Sequence, residues 1–359
     1  MIRPVPHVLD MSPYALADLS PPKGKKLISL SQNESFRAPS PHAIAAGSEA
    51  LASAHLYPDP DWSALRAALA EIHEIPESGI LCGNGSMELI ECLMQAYASP
   101  DLAVLAPDHV YPFFRTAARM ARARFDSAPE TDCTVSIDAL LQAVQPDTGI
   151  VCIANPANPT GTRIPRSELT RLREGLPGHV LLIIDEAYGE FADLLNETTF
   201  DMVERGNTVI LRTFSKAYGL AGMRAGWGLF PTDVASQIRK VMNPNNLSVA
   251  SQAAALAAVL DQTYMRETCA LTSALRGSFS DRLRASGFDV LESFTNFVLI
   301  RFDTAGAAHS ADLALQSEGM FLRPQGGVGL SHCLRATVGD HEGMDKAAKL
   351  LERWAGEGT

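Results

Sequence analysis

The stretch TVILRTFSKAYGLAGMR, residues 208–224, decides how the rest of the chain is interpreted. Residues 208–212 are mostly β-branched or apolar and predict a buried strand. Just beyond this strand stand Ser215 and Lys216, and Arg224 follows eight residues later. A lysine in such a position, flanked by hydroxyl groups and followed by an arginine, is well placed to hold a phosphorylated aldehyde as a Schiff base.

A second apolar run, residues 180–184, lies upstream and ends in Asp185-Glu186-Ala187-Tyr188. In open sheets of parallel strands, ligands bind beyond the carboxyl ends of the strands. An aspartate at the end of one strand could therefore lie under the ligand that the lysine of the next strand holds. Together, Asp185 and Lys216 make pyridoxal phosphate the first hypothesis for a cofactor.

Strand-like runs alternate with helical patterns through the first two thirds of the chain. This alternation predicts an α/β fold: a doubly wound, mostly parallel sheet in a large domain, followed by a smaller α+β domain. We expect residues 1–40 to form an N-terminal arm with a segment of the small domain. Residues 41–246 are the predicted large, cofactor-binding domain, and residues 247–359 the predicted C-terminal small domain. The predicted strands are 79–82, 102–106, 149–154, 180–184, 208–212, 225–230, 296–302 and 333–338.

Composition restricts the possible partners and locations. The 359 residues are 46% hydrophobic and 20% charged, as in globular enzymes, and the net charge of −11 disfavours a nucleic-acid surface. No apolar run reaches the length of a membrane span, and no targeting segment is visible, so we expect a cytoplasmic protein without membrane contact. None of the six cysteines forms a C-x-x-C pair, so we expect no metal site.

Pyridoxal phosphate needs a lysine for its aldehyde, a carboxylate for its ring nitrogen, donors for its 3-oxygen and a cationic, amide-rich pocket for its phosphate. Lys216 and Asp185 match the first two needs. Tyr188 and Asn158 are candidates for the 3-oxygen. The candidates for the phosphate lie in the glycine turn before a predicted helix and around the lysine: Gly85, Ser86, Met87, Thr213, Ser215 and Arg224.

Other interpretations of single motifs fail or stay weak. A strand that ends in Asp-Glu also occurs in P-loop ATPases, but the sequence has no G-x-x-x-x-G-K-[ST] motif. Gly83 and Gly85 lack the third glycine of a dinucleotide-binding turn, because Glu88 stands at that spacing. The run NPANPTG, residues 155–161, could by itself be an ordinary loop. The joint pattern on successive strand ends is what favours pyridoxal phosphate.

The sequence resembles the fold-type I pyridoxal-phosphate aminotransferases of the class I/II group, and among them most resembles the histidinol-phosphate aminotransferases. The similarity runs over nearly the whole length. It is carried by these stretches: Ser31 to Glu34, Tyr57 to Asp59, Gly83 to Ser86, Asn155 to Gly161, Asp185 to Tyr188, Ser215 to Arg224, Leu322 to Pro324 and Cys333 to Gly339.

The resemblance implies further roles. Arg335 would bind the α-carboxylate of the substrate, and Arg323 would lie near its distal, often phosphate-bearing end. Tyr57 would reach the cofactor phosphate of a neighbouring subunit, so the resemblance implies a homodimer with shared active sites. Asn33 would line the mouth of the substrate site, and Tyr14 would cover the side-chain pocket.

Three positions depart from the family pattern. Met87 stands where an acidic residue is common. His109 stands where Tyr or Phe usually stacks on the cofactor ring, and Tyr111 is the alternative if the loop is one residue shorter. Asn245 replaces an aromatic residue in a loop that borders the substrate, which leaves the recognised amino acid open.

The implied activity is transfer of an amino group from an amino acid or amino-alcohol phosphate, histidinol phosphate first, to 2-oxoglutarate by a ping-pong mechanism. An aromatic amino acid aminotransferase and a threonine-phosphate decarboxylase-like enzyme are alternatives on the same scaffold. A non-catalytic protein that binds pyridoxal phosphate is a more distant alternative.

Overall fold

A computed structural model of the chain describes residues 2–13, 19–193 and 198–357. The strands are β1 Ile28–Ser29, β2 Ile80–Gly83, β3 Ala103–Pro107, β4 Phe125–Ala128, β5 Thr148–Ala154, β6 Leu181–Asp185, β7 Thr208–Thr213, β8 Gly226–Leu229, β9 Asp289–Val290, β10 Phe297–Arg301, β11 Met320–Phe321, β12 Arg323–Gln325 and β13 Leu330–Thr337.

The α-helices are α1 Pro6–Leu9, α2 Pro41–Ala50, α3 Ser63–His73, α4 Ser86–Tyr97, α5 Pro112–Met120, α6 Ile137–Ala143, α7 Arg166–Gly175, α8 Gly189–Asp193, α9 Thr232–Val241, α10 Val249–Leu260, α11 Gln262–Ala285, α12 Ala305–Ser317 and α13 His341–Gly356. Short 3-10 turns lie at Leu51–Ser53, Glu77–Gly79, Phe200–Met202, Ala221–Met223 and Gly326–Val328.

The largest sheet has seven strands in the order β2-β8-β7-β6-β5-β3-β4. Strands β4, β3, β5, β6 and β7 pair in parallel, whereas β8 runs antiparallel to both of its neighbours, β7 and β2. The central strands are buried along their whole length, as expected for a sheet with helices on both faces. The predicted α/β architecture with a mostly parallel sheet is confirmed.

The pairing of β6 with β7 brings the two decisive stretches of sequence together. Asp185, at the end of β6, is in register with Leu211 on β7, and β7 continues to Thr213 before the turn that carries Lys216. Parallel strands end at the same edge of a sheet, so the aspartate and the lysine meet there. The antiparallel strand β8 then returns along β7 and pairs Gly226 with both Thr213 and Gly83. The glycine turn that precedes α4 therefore reaches this edge as well.

Strand β4 is the element of the large sheet that the sequence pattern did not predict. It reads Phe125-Asp126-Ser127-Ala128, is largely half-buried or exposed, and pairs with β3 alone. Edge strands lack the continuous apolar pattern of central strands because one side of the strand faces no neighbour. The sequence of β4 therefore shows no clear hydrophobic pattern from which a strand could be predicted.

A second sheet, in the order β12-β13-β10-β9, and a second apolar core lie in the C-terminal part of the chain. The N-terminal segment joins this part, because β1 pairs with β11 and Leu30 packs in the second core. Helix α10 packs instead against α2 in the first core. The predicted boundary at residue 246 stays a prediction.

Several features bear on the compartment and on metals. All six cysteines are free thiols, and five of them are buried. In the residues that the structure describes, no group of three or more His, Cys, Asp or Glu side chains is arranged to hold a metal ion. Across the same residues, no helix combines the length and apolar character needed to span a membrane.

The large sheet should dominate stability. Leu182 on β6 is fully buried, whereas Leu313 on α12 is 51% exposed. We expect Leu182→Ala to lower the free energy of unfolding by about 2–5 kcal/mol through lost burial and the cavity left behind. The matched variant Leu313→Ala should change it by less than about 0.5 kcal/mol. Urea denaturation followed by circular dichroism measures both, and equal effects would show that the β6 core does not carry the stability.

Candidate active site

A cavity of about 380 Å³ opens at the carboxyl edge of β5, β6 and β7. It brings together thirteen of the residues singled out from the sequence: Asn33, Ser86, Met87, Tyr111, Asn158, Asp185, Tyr188, Thr213, Ser215, Lys216, Arg224, Arg323 and Arg335. These come from strands of both sheets, from the start of α4, from loops and from the N-terminal segment, so the site exists only in the assembled fold.

Lys216 lies in the turn after β7 and is partly buried. Its Nζ donates a hydrogen bond to the carbonyl oxygen of Asn33 at 3.0 Å and lies 5.9 Å from the centroid of the Tyr188 ring. Desolvation, together with the positive charge of Arg335, lowers the pKa of Lys216 from 10.5 to about 8. A larger share of the amine is therefore neutral, and nucleophilic, near neutral pH than for an exposed lysine.

Asp185 ends β6 and is almost fully buried. Its Oδ1 accepts a hydrogen bond from the backbone N–H of Ala187 at 3.1 Å. Burial raises the pKa of Asp185 from 3.8 to about 7, and the neighbouring carboxylate of Glu186 adds to the rise. The positive charge of Lys216 opposes this shift without cancelling it. A cationic group bound above Asp185 would restore its ionised form.

Glu186, which the sequence analysis did not assign, turns to the other side of the sheet and forms a buried ion pair. Arg212 of β7 donates to Glu186 Oε2 through Nε at 2.9 Å and through Nη2 at 2.7 Å. Gly189 lies against the guanidinium, where a Cβ atom would overlap Arg212. Breaking such a buried pair is costly because it leaves one charge uncompensated. The pair therefore fixes β6 to β7 directly below Asp185.

The turn before α4 and the side chain of Arg224 form a concave site at the amino end of that helix, the cup. Gly85 has φ 74° and ψ 167°, a conformation that is nearly exclusive to glycine. A Cβ atom at Gly85 would lie 2.6 Å from Nη2 of Arg224, so the guanidinium rests directly on this glycine. Ser86 and Met87 begin α4, where free backbone N–H groups and the helix dipole favour an anion.

Hydroxyl groups complete the cup. Thr213 Oγ1 donates to Ser215 Oγ at 3.0 Å, and Arg224 Nη1 lies 3.4 Å from the same Ser215 oxygen. Arg224 Nη1 also donates to the carbonyl oxygen of Ala221 at 2.9 Å, which holds the guanidinium in place. An arginine, two hydroxyl groups and a helix terminus are the groups that a phosphate needs.

The opposite wall carries the residues expected to contact substrate. Arg335 donates through Nη1 to Asn158 Oδ1 at 2.7 Å and through Nη2 to the carbonyl oxygen of Ser31 at 2.8 Å. Arg323 on β12 is the cross-strand partner of Arg335 on β13, so both side chains lie on the same face of the sheet. Two adjacent arginines at one cavity indicate a ligand with more than one anionic charge.

Asn33 lies deeper than a residue at the mouth of a site. It is 2% exposed, has φ 54°, and its Nδ2 donates to the Tyr188 hydroxyl at 2.7 Å. Its Oδ1 accepts from Thr337 Oγ1 at 3.1 Å. Asn33 therefore connects Tyr188 of the large sheet to β13 of the small one.

Of the two candidates for covering the cofactor ring, Tyr111 lines the cavity and His109 does not. His109 points away into a neighbouring depression, where its Nδ1 lies 2.8 Å from the carbonyl oxygen of Val328. Tyr111 stands directly before α5, and that helix fixes its position.

Three further predicted residues lie apart from the cavity or outside the described structure. Gly85 supports the cup from behind Arg224. Tyr57 is 88% exposed and makes no approach to the cavity of its own chain. Tyr14 lies outside the described residues.

Gln325 and Glu34 are among the cavity residues that the sequence analysis did not assign. Gln325, on the cavity wall, is 6% exposed, and its strand is too short to give a periodic signal. Glu34 also lines the cavity and raises the pKa of Lys216 electrostatically, against the larger effect of burial. Its place next to Asn33 in the Ser31 to Glu34 block was the available signal.

These features fit pyridoxal phosphate. The buried carboxylate of Asp185 has too little positive charge around it to keep its ordinary pKa. A protonated ring nitrogen would supply that charge. Lys216 is a partly neutral amine at the same edge. The glycine cup beside Arg224 offers an anion site at a suitable helix terminus. Fold and site together define a pyridoxal-phosphate-dependent enzyme of fold type I.

Comparison with known proteins agrees with this class. The family model described as aminotransferase class I and II matches residues 25–351. The histidinol-phosphate aminotransferase of Ruegeria pomeroyi is 40% identical over 340 residues, which cover 95% of this chain and 94% of that protein. The histidinol-phosphate aminotransferase of Rhodospirillum centenum is 40% identical over 354 residues, which cover 98% of each protein.

A solved structure is similar over almost the whole chain. The crystal structure of histidinol-phosphate aminotransferase from Sinorhizobium meliloti in complex with pyridoxal-5'-phosphate superposes with a TM-score of 0.93 at 29% identity. The superposition covers 99% of this chain and 98% of the Sinorhizobium meliloti chain. The chain belongs to the aminotransferase class I and II family. The predicted enzyme class and the predicted cofactor, pyridoxal phosphate, are thereby confirmed.

The cup at Gly85 gives a first test of the site. We expect Gly85→Ala to displace Arg224 and to strain the turn, because position 85 needs a conformation that costs about 1–3 kcal/mol without glycine. The affinity for pyridoxal phosphate should fall about tenfold to a hundredfold. Fluorescence titration of the apoprotein measures it. Gly178→Ala is the matched control, because nothing lies within 4 Å of the added Cβ. Unchanged affinity in Gly85→Ala would contradict the assignment of the cup.

The lowered pKa of Lys216 gives a second test, in the apoprotein. Between pH 8 and 10.5 the unfolded chain holds a proton on this lysine that the folded chain has lost, so wild-type stability rises with pH in that window. Lys216→Met removes the charged group and should be more stable than wild type by up to about 3 kcal/mol at pH 7. The difference should shrink as pH rises from 8 towards 10.5.

Urea denaturation at several pH values measures this difference. Lys240→Met, at an exposed position, is the control and should show no pH-dependent gain. A constant gain for Lys216→Met across the whole pH range would mean that the ionisation of Lys216 is not the cause.

Proposed function

We propose that the enzyme transfers an amino group from histidinol phosphate to 2-oxoglutarate by a ping-pong mechanism. The observation that carries the proposal is the pair Arg323 and Arg335, side by side on one wall of the cavity and opposite Lys216. A phosphorylated amino donor and a dicarboxylic oxoacid share a need for such a cationic wall. The names of the relatives described above point to the same donor.

The residues that would hold pyridoxal phosphate divide by the part of the molecule they meet. Ser86, Met87, Ser215, Thr213 and Arg224 would bind the phosphate. Asn158 already presents its Oδ1 to Arg335, which leaves its amide nitrogen as the donor to the 3-oxygen. Tyr188 would donate to the same oxygen through its hydroxyl.

Tyr111 would cover one ring face, because it stands on the cavity wall and carries an aromatic ring. Asn158 and Arg335 move together in this scheme, since one hydrogen bond joins them. A substrate anion bound at Arg335 would therefore affect the hydrogen bond that Asn158 donates to the 3-oxygen of the cofactor.

Bound to the protein, pyridoxal phosphate supplies an aldehyde that Lys216 holds covalently and a ring that accepts electrons from the substrate carbon. Asp185 keeps a proton on the ring nitrogen, since its buried carboxylate is most stable when it is ionised beside a cation. The neutral amine of Lys216 would take up a proton from the substrate carbon that bears the nitrogen. Its lowered pKa allows the amine to act as a base near neutral pH.

The substrate wall would serve both half-reactions. Arg335 is set to bind a carboxylate with two parallel donors, whereas Arg323 lies one strand further out and suits a second anionic group. In 2-oxoglutarate that second group is the other carboxylate. In histidinol phosphate the phosphate must take one of these places, which makes exchange of the two ligands at a single site feasible.

A homodimer with shared active sites is part of the proposal. Tyr57, at 88% exposure, lies beside Leu56 and Leu51, which are both 62% exposed, and Ile44 on α2 is 50% exposed. Exposed apolar side chains grouped along one stretch of chain favour a protein interface. A second copy of the chain covering this stretch would bury them and bring Tyr57 towards the phosphate cup of its neighbour.

We place the enzyme in the cytoplasm. Six free thiols, five of them buried, are typical of a reducing compartment.

The proposed donor is tested by rapid mixing of the holoenzyme with candidate amines in the absence of an oxoacid. We expect histidinol phosphate to change the absorbance of the bound cofactor quickly, and 2-oxoglutarate to restore it with formation of glutamate. Phenylalanine and tyrosine should react at least about tenfold more slowly, since both lack the phosphate. Threonine phosphate, which carries a phosphate and a carboxylate, is mixed in parallel as the rival donor.

Each contrary outcome identifies a different enzyme. Faster reaction with the aromatic amino acids would indicate an aromatic aminotransferase. Release of carbon dioxide from threonine phosphate without glutamate would indicate a decarboxylase. No spectral response to any amine would favour a non-catalytic protein that binds pyridoxal phosphate.

A further inference from the structure

His109 makes a contact that joins two loops from different parts of the chain. It stands in the turn after β3, and its Nδ1 lies 2.8 Å from the carbonyl oxygen of Val328 in the turn between β12 and β13. A carbonyl oxygen can only accept a hydrogen bond, so Nδ1 must carry the proton and donate. The contact therefore fixes the tautomer of the neutral ring.

The backbone of His109 is held firmly on its own side. Its N–H donates to Glu130 Oε1 at 3.2 Å, and the N–H of Asp108 donates to the carbonyl oxygen of Ala128 at 3.0 Å. Burial raises the pKa of Glu130, whereas the nearby His109 lowers it. These bonds tie the turn after β3 to the end of β4, so the imidazole projects from a rigid base.

The other loop has little rigidity of its own. The turn Gly326–Val328 is followed by Gly329 at φ 82°, so three of four consecutive residues are glycines with wide conformational freedom. Within the turn, the N–H of Gly329 donates to the carbonyl oxygen of Gly326 at 3.1 Å. A cavity of about 340 Å³ lies between this turn and the His109 loop, so side-chain packing around the contact is incomplete.

This turn closes the hairpin that carries the substrate wall. Arg323 and Gln325 stand on β12, immediately before the turn, and Arg335 stands on β13 after it. The pairing of β12 with β13 is irregular between Pro324 and Gln325, so the strand bonds alone hold this end of the hairpin weakly. Any shift of the turn would move Gln325 and Arg323 relative to the cavity.

We propose that His109 is a positioning residue that ties the β12–β13 turn to the large sheet and thereby holds Arg323 and Gln325 at the substrate wall. This inference rests on the proposed function, because Arg323 matters only if the enzyme binds an anionic substrate. The role is distinct from ring stacking, which belongs to Tyr111. Binding of the acceptor depends on the hydrogen bond from Nδ1, whereas binding of pyridoxal phosphate does not.

Two variants of His109 separate these roles because they keep different parts of the side chain. His109→Phe keeps a ring and removes the donor. His109→Asn removes the ring and places an amide nitrogen close to the position of Nδ1. We expect His109→Phe to raise KM for 2-oxoglutarate at least about fivefold with kcat changed less than about twofold, as loss of one neutral hydrogen bond implies. His109→Asn should stay within about twofold of wild type.

The opposite ranking would overturn the inference. If His109→Asn weakens binding of pyridoxal phosphate and His109→Phe does not, the ring acts on the cofactor. Equal KM values in wild type and both variants would equally show that the contact positions nothing.

Two measurements do not depend on turnover. Hydrogen–deuterium exchange of the holoenzyme should be faster across residues 326–330 in His109→Phe and unchanged in His109→Asn, with the β6 peptide unchanged in both as a check on folding. Nitrogen NMR of ¹⁵N-histidine-labelled wild type, assigned with the His109→Asn spectrum, should show the neutral His109 ring protonated at Nδ1. A ring protonated at Nε2, or unchanged exchange in His109→Phe, would refute the contact.

The same set of experiments distinguishes failure of the inference from failure of the proposed function. A wild-type enzyme that does not transaminate with 2-oxoglutarate would refute the proposed function, while exchange and NMR would still report on the contact. A wild-type enzyme that does transaminate, with unaltered KM in His109→Phe, would refute only the inference.

Discussion

The parallel pairing of β6 with β7 is the constraint on which the rest of the site depends. It places the end of β6 and the turn after β7 at one edge of the sheet, and so sets a carboxylate and an amine under a common ligand. The buried pair of Glu186 with Arg212 joins the same two strands just below this edge. A change of register by one residue would turn Asp185 to the opposite face and place Glu186 in the cavity. The chemistry therefore follows from strand register before any loop is considered.

Burial then tunes the two groups in opposite directions. Desolvation raises the pKa of Asp185 to about 7 and lowers that of Lys216 to about 8. The neutral form of each group is therefore more populated near physiological pH than it would be in an exposed side chain. Neither shift favours the apoprotein, because each is a cost of burying an ionisable group without a full counter-charge. A bound ring with a protonated nitrogen and a covalent link to the lysine removes both costs. Cofactor binding would therefore remove a free-energy cost that the apoprotein carries at Asp185 and Lys216.

The two walls of the cavity differ in how they are supported. The phosphate cup is formed by backbone at Gly85 and by Arg224, close to the strongly paired strands β7 and β8. The substrate wall stands on a short hairpin that ends in a glycine-rich turn. The turn of that hairpin is joined to the large sheet by the contact between His109 and Val328.

Most of the residues proposed to bind the cofactor could be named from the sequence, because each follows a buried strand or a glycine turn and because the residue types match the chemistry of pyridoxal phosphate. The structure places most of them at one cavity. The predicted central strands agree with the structure within a residue or two, since a fully buried strand has a continuous apolar run. Strand β4 escaped because an edge strand needs no such run, and Gln325 escaped because three residues carry no period. Sequence spacing could not decide whether His109 or Tyr111 lines the cavity, since the path of a turn depends on what it packs against. By itself, then, the sequence determined the strand ends and the chemical groups they carry. The tertiary structure alone decided which ring faces the cavity, which carboxylate is buried below it and which arginines stand side by side, because these depend on register and packing between segments far apart in the chain.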